Sequence, residues 1–264
     1  PQITFDSIRN YPVLLPSFKE QRAIAKILSD IEDKIELNHQ INKTLESIAQ
    51  AIFKRWFVDF EFPNAQGNPY KSYGGNMVDS ELGKIPDGWR VGKLGEYFPI
   101  KTGKKDANVS SQNGKYPFFT CAQEQLLCDN YSFNGSAILL AGNCDFNVKW
   151  YDGKFEAYQR TYVLAPYDPC LLGYLYYLMK HFLEDITTGH RGSVVNFITK
   201  GMIEDYLAAV PLVGLLNKVK YRFLELNKCI DTNKQEIKVL SQIHDSLLPM
   251  LMSGKIRIKE KKWS

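Results

Sequence analysis

At 264 residues the chain has room for one large domain or two modest ones, and 44% hydrophobic residues suffice for a real core. Lys and Arg total 33 against 29 Asp and Glu, a formal charge of +4 that permits nucleic-acid binding without demanding it. The five cysteines, Cys121, Cys128, Cys144, Cys170 and Cys229, contain no C-x-x-C pair, which excludes a locally encoded zinc site or disulfide framework. No run of about 18 apolar residues and no basic-then-apolar start is present, so the expectation is a cytoplasmic protein without a membrane partner.

In chain order the first segment gains meaning from an internal repeat. Adding 195 to its numbers places Ile3, Thr4, Ile8, Tyr11 and Pro16 on Ile198, Thr199, Ile203, Tyr206 and Pro211. The match continues from Ile35, Asn38, Gln40, Lys43, Leu45 and Ile48 to Ile230, Asn233, Gln235, Lys238, Leu240 and Ile243. Shared prolines, tyrosines and asparagines make duplication a better explanation than common helical patterning. Residues 1–16 are therefore expected to be the tail of a globular unit whose body is absent, in keeping with a start at Pro1.

Residues 17–62 read as a long helix with an apolar stripe at Ile24, Leu28, Ile31, Ile35, Ile41, Leu45, Ile48 and Ile52, around Asn38. Residues 63–82, rich in Pro, Gly, Asn and Ser, read as an irregular linker. From 83 to 211, short apolar runs at 116–120, 136–140 and 161–164 predict strands, while 171–184 and 199–207 predict helices, so the unit is α+β. Residues 212–254 form the second long helix, with its stripe at Leu216, Val219, Phe223, Leu226, Ile230, Ile237, Leu240, His244, Leu247 and Leu251, and Gly254 ending it. Each helix would be roughly 55–60 Å long. Residues 255–264 are a basic tail carrying Lys255, Arg257, Lys259, Lys261 and Lys262, read as solvated.

The stripes predict an antiparallel coiled coil, paired through Ile31, Ile35, Asn38, Leu45 and Ile48 on one side and Leu226, Ile230, Asn233, Leu240 and Leu247 on the other. An Asn in an apolar seam fixes register and orientation, so Asn38 and Asn233 are read as pairing specifiers. Two copies of the chain could also pair through these helices as a homodimer, reading an inverted repeat.

Several segments in order carry a family resemblance: Leu15-Pro16 with Glu20-Gln21 and Ile24–Leu28; Ala51–Phe60; Leu82–Trp89 followed by Lys101–Lys104; Gln159–Leu164; and Leu251–Ile256. The chain resembles the specificity subunit of Type I restriction-modification systems over nearly its whole length, with one complete target recognition domain where a full-length member has two. The resemblance implies a subunit without chemistry of its own. Its recognition domain would read one half of a bipartite double-stranded DNA target, and its paired helices would set the spacing and hold methyltransferase (modification) subunits. A restriction subunit would join indirectly, and S-adenosylmethionine, ATP and Mg would sit on those partners, with no cofactor and no metal on this chain.

Base readout needs Arg, Lys, Asn or Gln at base edges, and phosphate contact needs basic side chains and free amides. Lys101, Thr102, Lys104 and Lys105 form a basic, Gly-broken loop that is either a phosphate contact or an ordinary solvated loop. Gln159 and Arg160 are either base readers or buried hydrogen-bonding groups. Asn147, Lys149, Tyr151 and Lys154 either line the groove or surround a hairpin turn at Asp152-Gly153. His190, Arg191 and Ser193, in the segment 187–193, are read as DNA contacts.

Two rival functions weigh against this. A self-contained adenine methyltransferase has only Gly67-Asn68-Pro69-Tyr70 in its favour, which lacks one proline of the Asn-Pro-Pro-Tyr motif and lies in the linker. His39, His181, His190 and His244 show no metal spacing, and no catalytic residue is assigned. A coiled-coil scaffold whose globular unit binds protein keeps all the helix evidence and discards the DNA.

Overall fold

The structure is a computed structural model and describes Phe5, Arg9 and residues 15–187 and 197–258. Its elements in order are helix α1 (Phe18–Phe53), strands β1 (Met77–Ser80), β2 (Gly83–Pro86), β3 (Arg90–Lys93), β4 (Ile100–Thr102), β5 (Tyr116–Phe119), β6 (Leu126–Cys128), β7 (Phe133–Ala141), β8 (Val148–Ala157) and β9 (Thr161–Leu164), helices α2 (Leu172–Thr187) and α3 (Lys200–Glu204), strand β10 (Leu207–Val210) and helix α4 (Val213–Met252). Two compact units divide the chain, one of Pro1–Glu46 with Asn227–Ser264 and one of Ser47–Leu226, so each long helix contributes to both. The expected mixture of helix and sheet with a long helix on either side of the globular part is present.

In the first unit the two helices run antiparallel. Glu20 pairs with Arg257 at 3.0 Å, Glu32 with His244 at 3.2 Å and Lys34 with Glu236 at 3.4 Å, so numbers rise on one helix as they fall on the other. Burial on α4 follows an unbroken alternation of three and four residues through Ile230, Asn233, Ile237, Leu240, His244, Leu247 and Leu251. On α1 the same alternation passes through Ile24, Leu28, Ile31, Ile35, Asn38, Asn42 and Leu45, and goes on to Ala49 and Ile52. That corrects the expected stripe at two places. Ile41 is 38% exposed and Ile48 is 44% exposed, whereas Ala49 is 0% exposed. Helical phase, not side-chain size, decides which residue faces inward.

The two specifier asparagines do not meet each other. Asn38, 1% exposed, donates through Nδ2 to Glu236 Oε2 at 2.9 Å and accepts from Lys34 Nζ at 3.1 Å. Asn233 donates through Nδ2 to Asn42 Oδ1 at 2.9 Å. The buried Asn38 amide thus has a partner on both its nitrogen and its oxygen, which removes a penalty of about 1–3 kcal/mol for an unsatisfied group.

The second unit is built on a six-stranded sheet of order β4-β9-β7-β8-β5-β6, antiparallel except where β5 pairs with β8. Central strand β7 is apolar throughout its second half because both its faces are covered. Ile138 and Leu140 join the main core, with Leu175, Met179 and Phe182 of α2, Phe53 of α1 and Phe223 of α4. Ala137 and Leu139 turn to a smaller cluster with Phe119, Phe155, Ala157 and Val163. The sheet curls back on itself, since Lys105, just beyond β4 at one edge, bridges Tyr158, just beyond β8. Gly135 and Gly153 stand opposite each other in the β7–β8 pair with φ of +118° and +131°, backbone that bends a strand pair and that side chains resist. Asp152-Gly153 is therefore not a hairpin turn; it lies in mid-strand, and residues 142–147 make the connection.

Residues 63–82 are ordered, unlike the irregular linker expected. Asn64 Oδ1 accepts the amides of Gln66 and Asn68, both at 3.0 Å, Tyr70 stacks on Phe62, and β1 pairs with β2. The Pro, Gly, Asn and Ser of this stretch close tight turns instead of leaving the chain loose. Phe62 also stacks on Trp89, which fastens the segment to the core.

Glu236 is held below its ordinary value of 4.5, first by the Asn38 hydrogen bond, with Lys34 assisting and desolvation opposing. A depressed folded value means that this contribution is present above 4.5 and lost as the pH falls through the folded value. Acidification across that window is expected to lower the chemical-denaturation midpoint of the helices, followed by far-UV circular dichroism, further in the wild type than in Glu236→Gln. Equal falls in both would remove this carboxylate from the account.

Candidate nucleic-acid interface

The predicted contact residues separate into two groups with different surroundings. Lys101 and Thr102 are exposed on β4, an edge strand paired to Val163 and Tyr162 of β9. Gly103 then passes so close to the Ala157 and Tyr158 carbonyls that a β-carbon there would overlap them, and its amide donates to Thr161 O at 3.2 Å. Lys104 and Lys105 follow, both exposed, and Asp106 turns the chain by accepting the Ala107 amide at 2.6 Å.

Gln159 and Arg160 occupy a tight turn closed by the Thr161 amide on Tyr158 O at 2.8 Å. Both side chains are exposed, so the alternative of a buried hydrogen-bonding pair is not what the structure shows; the buried polar residue of this turn is Thr161, whose Oγ1 donates to Phe119 O at 3.3 Å. The Gln159 amide donates to Lys105 O at 3.0 Å, and the Gly142 amide donates to Arg160 O at 2.9 Å. Three segments, 101–105, 158–160 and 142–144, thus lie edge to edge. A β-carbon on Gly142 would stand 2.8 Å from Arg160 O, so this junction also favours glycine. Among the described residues, no ion pair engages Lys101, Lys104, Lys105 or Arg160, which leaves four cations directed at solvent.

Asn147, Lys149 and Tyr151 stand behind this edge instead of lining it. Asn147 is buried and donates through Nδ2 to Cys121 O at 2.8 Å and Asp145 O at 2.6 Å, stapling two loops. Lys149 is half-buried with its ammonium on Ala122 O, and the Tyr151 ring packs 5.1 Å from Phe119. Lys154 is exposed, with its ammonium 4.9 Å above the Tyr131 ring. His190, Arg191 and Ser193 lie outside the described residues.

Two residues not singled out by sequence share the edge. Asn143 accepts from Cys121 Sγ at 2.9 Å and is bridged to Phe197, an exposed aromatic. The Gly142-Asn143 dipeptide was the available signal for a turn here, but nothing in the sequence pairs it with Phe197. Burial, ahead of every other influence, pushes the Cys121 thiol up and the Tyr162 hydroxyl up, so both stay protonated near neutrality and act as hydrogen-bond donors. Tyr162 uses its proton on Ile198 O at 2.9 Å. The arrangement offers cations and carboxamides on an edge tied together by backbone hydrogen bonds, equipment for holding phosphates and reaching base edges.

The family model described as "Type I restriction modification DNA specificity domain" matches residues 1–47 and 86–242. The Type I restriction enzyme EcoDI specificity subunit of Escherichia coli is 37% identical over 180 residues, which cover 66% of this chain and 40% of that protein. The Type I restriction enzyme MjaIX specificity subunit of Methanocaldococcus jannaschii is 27% identical over 288 aligned positions, covering 98% of this chain and 64% of the relative. In fold, the chain is similar to the crystal structure of a Type I restriction-modification S subunit from M. genitalium, with a TM-score of 0.66 and 17% identity over 89% of this chain and 61% of that one. The chain thus spans less than two thirds of the length of each of these proteins. With the family model covering most of its length in two blocks that take in the greater part of each long helix and of the globular unit, this chain belongs to the Type I restriction modification DNA specificity domain family.

Proposed function

We propose that this chain is a sequence-reading DNA-binding specificity subunit of a Type I restriction-modification complex, acting in the cytoplasm and leaving bond-making to other subunits. The observation that carries the reading is the solvent-directed edge where Lys101, Lys104 and Lys105 are pinned against the turn holding Gln159 and Arg160. In this reading the lysines hold phosphates, and Gln159 and Arg160, borne on a turn fixed from both sides, reach base edges. One such domain reads one half of a bipartite target.

The antiparallel helices would serve as a coiled-coil spacer and as the seat of methyltransferase subunits. In support, Ile27, Leu37, Ile41, Val239, Ile243 and Met250 are apolar side chains exposed along them. S-adenosylmethionine, ATP and Mg belong in this proposal to the partner subunits, with a restriction subunit joining indirectly. The same exposed side chains favour a second form of assembly, in which two copies pair through these helices. Sedimentation showing a strict monomer at micromolar concentration would exclude that form.

Gel-shift titrations against duplex DNA over a range of salt test the main reading. The wild type is expected to bind with steep salt dependence. Replacing Lys101, Lys104 and Lys105 together by Ala should flatten the log–log salt slope by about 2–3, near 0.9 for each lost phosphate contact. No binding by the wild type at low salt, with a methyltransferase subunit present, would instead favour a protein-binding scaffold. Gly103→Ala should cost about 1–3 kcal/mol in chemical denaturation by overpacking and displace Lys104 and Lys105 from the turn, weakening DNA binding. Unchanged stability in that variant would show that the Ala157 and Tyr158 carbonyls can yield.

A further inference from the structure

Phe197 is 60% exposed, an unusual position for a phenylalanine whose backbone is firmly held. It pairs with Asn143 in an isolated bridge, and the Ile198 amide donates to Gly142 O at 2.7 Å. The Ile198 side chain is buried and its carbonyl accepts from Tyr162 Oη at 2.9 Å. One residue later, Thr199 caps α3 by accepting the Met202 amide at 3.3 Å. The ring therefore stands on a fixed mount.

The mount is part of the cationic edge. Gly142, whose carbonyl receives the Ile198 amide, gives its own amide to Arg160 O, so Phe197 is one backbone segment away from the turn of Gln159 and Arg160. A rigid apolar ring beside cations and carboxamides matches the requirements of a nucleobase, which offers a flat π-face for stacking next to phosphates for the cations. A ring on a backbone already held, with two side-chain torsions to fix, also loses little freedom when it is covered. Proteins that distort duplexes use such side chains as apolar wedges between base steps.

We propose that Phe197 is a stacking wedge: its ring inserts against a base step at the border of the recognised half-site, while Arg160 and Gln159 address neighbouring base edges. The proposal rests on the DNA-reading function argued above and assigns to one residue a contribution independent of charge. Because stacking is indifferent to salt, the affinity due to Phe197 separates from that due to the lysines.

The test uses the full chain and a duplex recovered from a randomised pool by binding to the wild type, with 2-aminopurine placed in turn at positions along it. Wild-type binding should raise 2-aminopurine emission at one base step, reporting unstacking. Phe197→Ala should lose that signal and bind about tenfold more weakly, as for one stacked base, with its salt slope unchanged. Phe197→Trp should restore both, which rules out a general folding defect in the Ala variant. Equal affinity and emission in Phe197→Ala and wild type would overturn the wedge while leaving the DNA reading intact. Failure of the wild type to retain any duplex would overturn both.

Discussion

No β-carbon fits where Gly103 passes the Ala157 and Tyr158 carbonyls, and the edge proposed to read DNA depends on that close approach. Backbone contact at this point lets β4 hand its lysines directly onto the turn that follows β8. Gly142 makes a second close approach on the far side of the same turn, against Arg160 O. Gln159 and Arg160 are thus gripped between two glycines that work from opposite sides. Loops that read DNA need this kind of support, because a side chain on a freely moving loop spends part of its binding energy on ordering.

The helices obey a different constraint, that of phase. Burial alternates by three and four without a break on both, and the repeat offset relates the two patterns: Ala49 corresponds to His244, Asn42 to Ile237 and Ile48 to Ile243. Across this offset the geometry of the stripe is the same while its chemistry differs. His244, taking the place of a fully buried alanine, stays half-buried and reaches Glu32 and Asp245. The polar layer of Asn38, Lys34 and Glu236 has no copy at the Asn233–Asn42 contact. Non-identical polar layers give a pair of similar helices a single favourable alignment, which the proposed role as a spacer of fixed length would require.

Much of this was legible in the sequence because it is local. The α4 stripe, the strands at 116–119 and 161–164 and helix α2 each follow from periodicity within a short window. The misreadings have a common origin in information that is not local. Apolarity favours Ile48 over Ala49, whereas an unbroken count of threes and fours selects Ala49. Asp152-Gly153 has the composition of a hairpin turn, and only its partner Gly135 across the ladder reveals a bend within two long strands. Asn147 looks like any polar loop residue; that it faces inward is decided by the Cys121 and Asp145 carbonyls waiting there.

The same distinction governs how the edge, in its proposed DNA-reading role, would change specificity. Residues that shape it, namely Gly103, Gly142, Asn147 and Thr161, are buried or sterically fixed, and a substitution at any of them disturbs backbone that several segments share. Lys104, Lys105, Gln159 and Arg160 extend into solvent, and their side chains can be exchanged at little structural cost. Folding stability therefore constrains the frame, while the exposed positions answer only to the bound surface. Under the proposed function, such an edge would acquire a new preference by replacing side chains on an unchanged backbone.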